Sequence, residues 1–143
     1  MAVNYKVAIS GGCDPIHVGH IRMIQQAAEY GDVIVILNSD EWLMRKKGFV
    51  FMTWQERAEI ISAIKGVVKV VPVDDSDGTV CEALLKIKPH YFANGGDRTD
   101  INTPEKQICI DNDITMIWGI GGGKVQSSSD LVSKVRNNEK PTI

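Results

Sequence analysis

Residues 10–20 read SGGCDPIHVGH. A β-rich run, YKVAIS at 5–10, leads into them. Apolar residues at helical spacing, Val18, Ile21, Ile24 and Ala28, follow. The stretch is therefore a strand-to-helix corner. Gly11 and Gly12 let the backbone bend and come close to a ligand. Asp14 and Pro15 close the turn, and Pro15 stops the sheet. His17 and His20 are three apart, which sets both imidazoles on one face of the first helical turn. The helix start adds unpaired N–H groups, an arrangement suited to the phosphates of a nucleoside triphosphate.

Working outward, Gly31 predicts the end of that helix, and DVIVIL at 32–37 has the look of a strand buried on both faces. Asn38, Ser39 and Asp40 follow, then EWLMRKK at 41–47. Its basic cluster of Arg45, Lys46 and Lys47 has the composition of a solvated loop. Thr53 and Glu56 form a capping-box pattern for a helix to about residue 64, with Trp54, Ala58, Ile61 and Ile64 as its apolar stripe and Arg57 beside it. A strand is expected at 67–73 and an acidic loop at 74–78. Thr79 and Glu82 repeat the capping-box pattern before a helix at 80–87. A short strand at 91–93 runs into NGGDR at 94–98. Thr103 and Pro104 open a helix over 104–111, and a fifth strand covers 114–118. A flexible glycine run at 119–123 precedes Ser127, Ser128, Ser129 and Asp130, which can cap a last helix reaching Arg136.

Strand and helix alternate five times without a repeat or a linker. This predicts one α/β domain over residues 1–143: a Rossmann-like, doubly wound sheet of about five parallel strands with helices on both faces. Ligands of such sheets bind at the carboxyl ends of strands where the strand order reverses. Polar, glycine-containing segments follow strands one, four and five, so these three can meet in space.

The length of 143 residues fits one domain, and 43% hydrophobic residues suffice for a full core. A net charge of -2 with no basic block argues against nucleic acid as the partner. No apolar run reaches membrane-spanning length, and residue 5 already opens a strand, so neither a membrane span nor a leader is expected. Three widely spaced cysteines, Cys13, Cys81 and Cys109, read as reduced thiols of a cytoplasmic protein. Zinc needs more ligands than the histidine pair offers, and no cysteine or further histidine clusters with it in sequence. The glycine run is not a P-loop, because Trp118 stands at its first glycine position and Val125 at its Ser/Thr position. Nor is it a dinucleotide fingerprint, because Lys124 stands at the last glycine position.

Residues 14–20 resemble the H-x-G-H motif of the cytidylyltransferase-like nucleotidyltransferase superfamily. Asn38–Ser39–Asp40, Lys47–Gly48, Gln55–Glu56–Arg57, Gly95–Gly96–Asp97 and Ser127–Ser128–Ser129 are similar to its further landmarks, in the same order along nearly the whole chain. The likeness is strongest to the heptose 1-phosphate adenylyltransferase domain, with glycerol-3-phosphate cytidylyltransferase as a second relative. The resemblance implies transfer of a nucleoside monophosphate from ATP or CTP to a phosphorylated sugar or polyol, with Mg2+ shielding the triphosphate and a homodimer as the assembly. It gives His17, His20, Lys47 and Arg57 catalytic roles. It makes Gly11, Gly12, Cys13, Asp14, Gly95, Asp97, Ser127, Ser128 and Ser129 nucleotide-contacting, with Asp14 placing either Mg2+ or the turn.

Two positions depart from the pattern. Cys13 stands where the family usually has an aromatic residue. Asn94 stands where the heptose relatives carry lysine. A nucleotide sensor without turnover is the alternative on the same fold. A class I aminoacyl-tRNA synthetase shares the histidine motif but calls for a basic face that this chain lacks.

Overall fold

The computed structural model describes residues 4–95, 103–121, 131, 132 and 134. Five parallel strands, β1 (Lys6–Gly11), β2 (Asp32–Leu37), β3 (Val67–Val71), β4 (Tyr91–Gly95) and β5 (Thr115–Ile120), form one sheet in the order β3-β2-β1-β4-β5. The chain steps outward from β1 through β2 to β3, then returns to place β4 on the other side of β1. Strand order thus reverses between β1 and β4, where a parallel sheet opens a crevice at its carboxyl end. Helices α1 (Val18–Ala27), α2 (Asp40–Lys47), α3 (Trp54–Ser62), α4 (Cys81–Ile87) and α5 (Pro104–Asp111) fill the connections.

The alternation along β2 explains the layering. Val33, Val35 and Leu37 join Val7, Ile9, Ile24, Ala27 and Ile61 in one core, under α1 and α3. Ile34 and Ile36 join Ala8, Phe92, Leu84 and Cys109 in the other, under α4 and α5. A strand buried on both faces needs apolar residues throughout, and DVIVIL supplies them. No helix among the described residues is long and apolar enough to cross a membrane.

Several expectations are corrected in detail. Residues 40–47 are a helix, not a loop. Ser39 Oγ accepts from Trp42 N at 3.0 Å to start it, Gly48 ends it at φ 83°, and only Leu43 of its residues is buried. Its acidic first turn and basic last turn complement the helix dipole, a source of helicity that leaves no apolar stripe to read. Helix α1 ends at Ala27. Gly31 lies beyond it and is required because a Cβ there would overlap the Tyr5 carbonyl. Thr79 and Glu82 do not form a capping box: α4 starts without a side-chain cap, and Glu82 Oε1 accepts from Asp74 N at 3.0 Å instead. The run at 119–123 begins inside β5, which extends to Ile120 with Gly119 at φ 72°.

Candidate active site

Helix α1 begins with an unusual cap. His17 is its N-cap, extended at φ -146° and ψ 179°, and lies just outside the helix; His20 is the third helical residue. Gly19 N donates to His17 Nδ1 at 3.1 Å, and His17 N donates to His20 Nδ1 at 3.1 Å. Two orphan amides of the helix start are thereby satisfied reciprocally, as in a Ser–Glu capping box. The rings lie 3.9 Å apart between centroids. An Nδ1 that accepts cannot carry a proton, so each neutral imidazole holds its proton on Nε2 and presents an N–H donor there. The backbone of the corner thus sets the tautomer of both side chains.

Burial first, then electrostatic repulsion between His20 and His17, then Lys47, push the His20 pKa down to about 4. His20 is therefore a neutral donor across the physiological range. By ¹⁵N-detected NMR, its titration is expected near pH 4; an inflection at the usual histidine value of about 6.5 would contradict this environment. The sign for stability follows. Between about 6.5 and 4 the unfolded chain binds a proton at this position that the folded chain refuses, so the contribution of His20 to stability falls as pH drops through that window and levels off below it.

The other expected residues fall into three groups. Gly11, Gly95 and His20 line a cleft of about 550 Å³ at the carboxyl ends of β1 and β4, where the strand order reverses. Gly12, Cys13, Asp14, Lys47 and Arg57 do not line it; Arg57 is bonded to Gly12 and Lys47 to Asp14. Asp97, Ser127, Ser128 and Ser129 lie outside the described residues. Gly12 is needed because a Cβ there would sit 3.0 Å from Leu43 Cδ2 and 3.3 Å from the Trp42 ring. Gly95 rests on Met23 and the Ile120 carbonyl in the same way.

Two of these side chains are held by partners within the protein. Asp14 is fully buried, and its carboxylate accepts from Phe51 N at 2.7 Å and Met52 N at 2.6 Å. Both oxygens are thus held by backbone donors, and the side chain ties the 48–53 loop to the corner. Arg57, fully buried, is a bracket with no face toward the cleft. Its Nε donates to Met52 O at 3.0 Å, Nη1 to Gly12 O at 2.6 Å and Asn38 O at 3.0 Å, and Nη2 to Asp40 Oδ1 at 2.6 Å. All three guanidinium nitrogens thus have partners within the protein. Cys13 adopts φ 51° and its thiol is pushed up to about 12, chiefly by burial, with Arg57 and Lys47 opposing; it is no nucleophile. Lys47 ends α2, and its Nζ donates to Asp14 O at 3.2 Å. Burial lowers its pKa and Asp14 works against that shift.

One organising residue escaped the sequence reading. Asp75, 2% exposed, accepts from Asn38 Nδ2 at 3.0 Å, Ser39 N at 2.9 Å and Ser39 Oγ at 2.6 Å, while its carbonyl accepts from Arg45 Nη2 at 2.7 Å. It pins the start of α2 to the segment after β3, and α2 carries Trp42, Lys46 and Lys47. An acidic loop residue gives no local sign of partners thirty or more positions away. Among the described residues no three His, Cys, Asp or Glu side chains cluster to hold a metal, so these residues supply no cage for a resident cation.

The cytidylyltransferase-like family description matches residues 9–119, which takes in the histidine cap, α2, the Arg57 bracket, the whole of β2, β3 and β4, the end of β1 and most of β5. The chain belongs to the cytidylyltransferase-like family. The family and the relatives below support a nucleotidyltransferase. The "Bifunctional protein HldE" of Geobacter metallireducens is 38% identical over 107 residues, covering 72% of this chain and 21% of the relative. The protein of the same name from Aliarcobacter butzleri is 28% identical over 139 residues, covering 94% of this chain and 28% of the relative. The chain thus spans less than a third of the length of these relatives. In fold it is similar to the lipopolysaccharide core biosynthesis protein from Thermoplasma volcanium, with a TM-score of 0.68 at 22% identity over 84% of this chain and 98% of that one.

Proposed function

We propose that the protein transfers a nucleoside monophosphate, with AMP from ATP the first candidate and CMP from CTP the second, to a phosphorylated sugar or polyol. The observation that carries the reading is the reciprocal histidine cap, which fixes two Nε2–H donors at the start of α1, with His20 in the cleft wall. An oxygen of the acceptor phosphate attacks the α-phosphorus and forms a new P–O bond. The bond from the α-phosphorus to the bridging oxygen breaks, and pyrophosphate leaves with that electron pair. The attacking phosphate is already ionised at neutral pH, so no strong base is required. The chain's task is alignment and stabilisation of charge growing on the phosphoryl oxygens. His17 and His20 donate to those oxygens, and Lys46 and Lys47 at the end of α2 add positive charge nearby. Mg2+ enters with the triphosphate as part of the substrate, since the Asp14 carboxylate is already held by backbone amides.

Similarity to the HldE relatives supports the sugar-phosphate class and ATP. The test has two parts. In a thermal-shift series of ATP, CTP, GTP and UTP with Mg2+, one nucleotide, ATP first, is expected to raise Tm most, since ligand at 100 times Kd stabilises by about 2.7 kcal/mol. With that nucleotide and a panel of phosphorylated sugars and polyols, pyrophosphate is expected to appear only when both substrates are present. A nucleotide-dependent Tm shift with no pyrophosphate across the panel would replace this reading with that of a non-catalytic nucleotide sensor.

A further inference from the structure

Helix α2 sets Trp42 and Lys46 four residues apart on one face, and both line the cleft. Lys46 Nζ lies 4.8 Å from the centre of the Trp42 ring, within the range at which an ammonium is drawn to the negative face of an indole. Both the main chain and the ring of Trp42 are braced. Trp42 N donates to Ser39 Oγ at 3.0 Å, and that hydroxyl donates in turn to Asp75. Gly12 approaches the ring so closely that a Cβ there would lie 3.3 Å from Trp42 Cζ3. Lys46 itself is exposed, and Lys47, the next residue, carries like charge. No salt bridge joins Lys46 to a carboxylate among the described residues. Of the residues lining the cleft it alone carries an ammonium group, and Glu105 alone carries a carboxylate, which accepts from Val80 N at 3.2 Å. A carboxylate in place of the ring would also hold Lys46, but it would neutralise the ammonium and repel an arriving phosphate. An aromatic face holds the ammonium without cancelling its charge and leaves its N–H donors for an anion.

We propose that Trp42 is a positioning residue: its ring holds the Lys46 ammonium at the cleft, still fully charged, where the phosphates of the substrate arrive. This rests on the reading of the cleft as the substrate site for nucleotidyl transfer. Trp42 acts through Lys46 and not by a contact of its own. A lysine carries a long, flexible stem, and a partner that fixes it before the ligand binds lowers the ordering cost of binding.

The test is a double-mutant cycle read by calorimetric titration with ATP and with inorganic tripolyphosphate, which offers phosphates without base or sugar. Lys46→Met is expected to weaken both probes most. Trp42→Leu is expected to weaken both about two- to five-fold when Lys46 is present, the worth of an ammonium–indole contact, and to change nothing in the Lys46→Met background. A tetrafluorinated tryptophan introduced at position 42 alone keeps the shape of the ring and drains its negative face. It should reproduce most of the loss seen with Trp42→Leu while Tm stays within a few degrees of the parent. A merely structural Trp42 predicts instead that the fluorinated protein binds like the parent, and that result overturns the proposal. So do unchanged binding in Lys46→Met, an equal loss from Trp42→Leu with and without Lys46, and a parent that binds neither probe. Pyrophosphate release is read separately. Coupled binding losses without any pyrophosphate leave the Trp42–Lys46 pair standing and remove the proposed reaction; pyrophosphate release with uncoupled losses does the reverse.

Discussion

His17→Asn and His20→Asn are each expected to lower kcat for pyrophosphate release by about 10²–10³-fold, the usual cost of removing one preorganised donor to a charged transition state, while the folded state keeps nearly all its stability. The two substitutions separate the duties that each histidine combines. Nδ1 of His17 accepts from Gly19 N and Nδ1 of His20 accepts from His17 N. An asparagine carbonyl oxygen occupies nearly the Nδ1 position and can accept the same amide, and asparagine is among the best N-caps. What asparagine lacks is Nε2–H. Alanine at either position removes both functions, so His17→Ala and His20→Ala should lose the same activity and an additional ~1 kcal/mol of stability in urea unfolding. The kinetic form of the loss matters as well. A fall in kcat and kcat/KM together places the donors on the transition state, and a rise in the KM for nucleotide alone places them on the bound triphosphate. Asparagine variants turning over within about three-fold of the parent would remove the histidines from the chemistry.

The sequence was most informative where structure is local. DVIVIL could only be a strand buried on both faces, and it divides its side chains between the two cores. Helix α5 spans Pro104–Asp111 as its Thr103–Pro104 start signal predicts. The histidine corner was legible as a strand-to-helix turn, but the reciprocal cap that sets both tautomers was not, because histidine is not a residue expected at either position of a capping box. Helix α2 was missed since capping and charge order form it, with one buried residue in eight. Asp75, Arg57 and Glu105 show the limit more sharply. Each is defined by partners far along the chain: Asn38 and Ser39 for Asp75, Gly12 for Arg57, Val80 for Glu105. Proximity to the apolar stripe of α3 correctly turned Arg57 inward. It could not say that the guanidinium meets the carbonyls of Gly12, Asn38 and Met52 and the Asp40 carboxylate.

Arg57→Met is accordingly expected to act on folding before it acts on chemistry. Removing the buried guanidinium leaves the carbonyls of Gly12, Asn38 and Met52 short of a donor, and leaves the partly exposed Asp40 without its cation. Breaking a buried charged network from one side costs about 3–5 kcal/mol, which for a chain of this size lowers Tm by roughly 10 °C or more. Arg57→Lys keeps the charge but supplies a single ammonium group where a planar fork spans four acceptors, so it should recover only part of the loss. A catalytic arginine predicts the reverse order: a stable variant with little turnover. The deciding measurement is kcat per folded molecule, taken well below the midpoint of each variant alongside its urea curve. If Arg57→Lys unfolds like the parent and yet loses kcat by orders of magnitude, the guanidinium touches substrate and the bracket reading fails. If stability falls and the remaining folded protein still turns over, Arg57 acts by locking together the ends of β1 and β2 and the 48–53 loop. That loop in turn holds Asp14, whose carbonyl receives Lys47, so a defect at Arg57 reaches the cleft only through the geometry of the corner that carries His17 and His20.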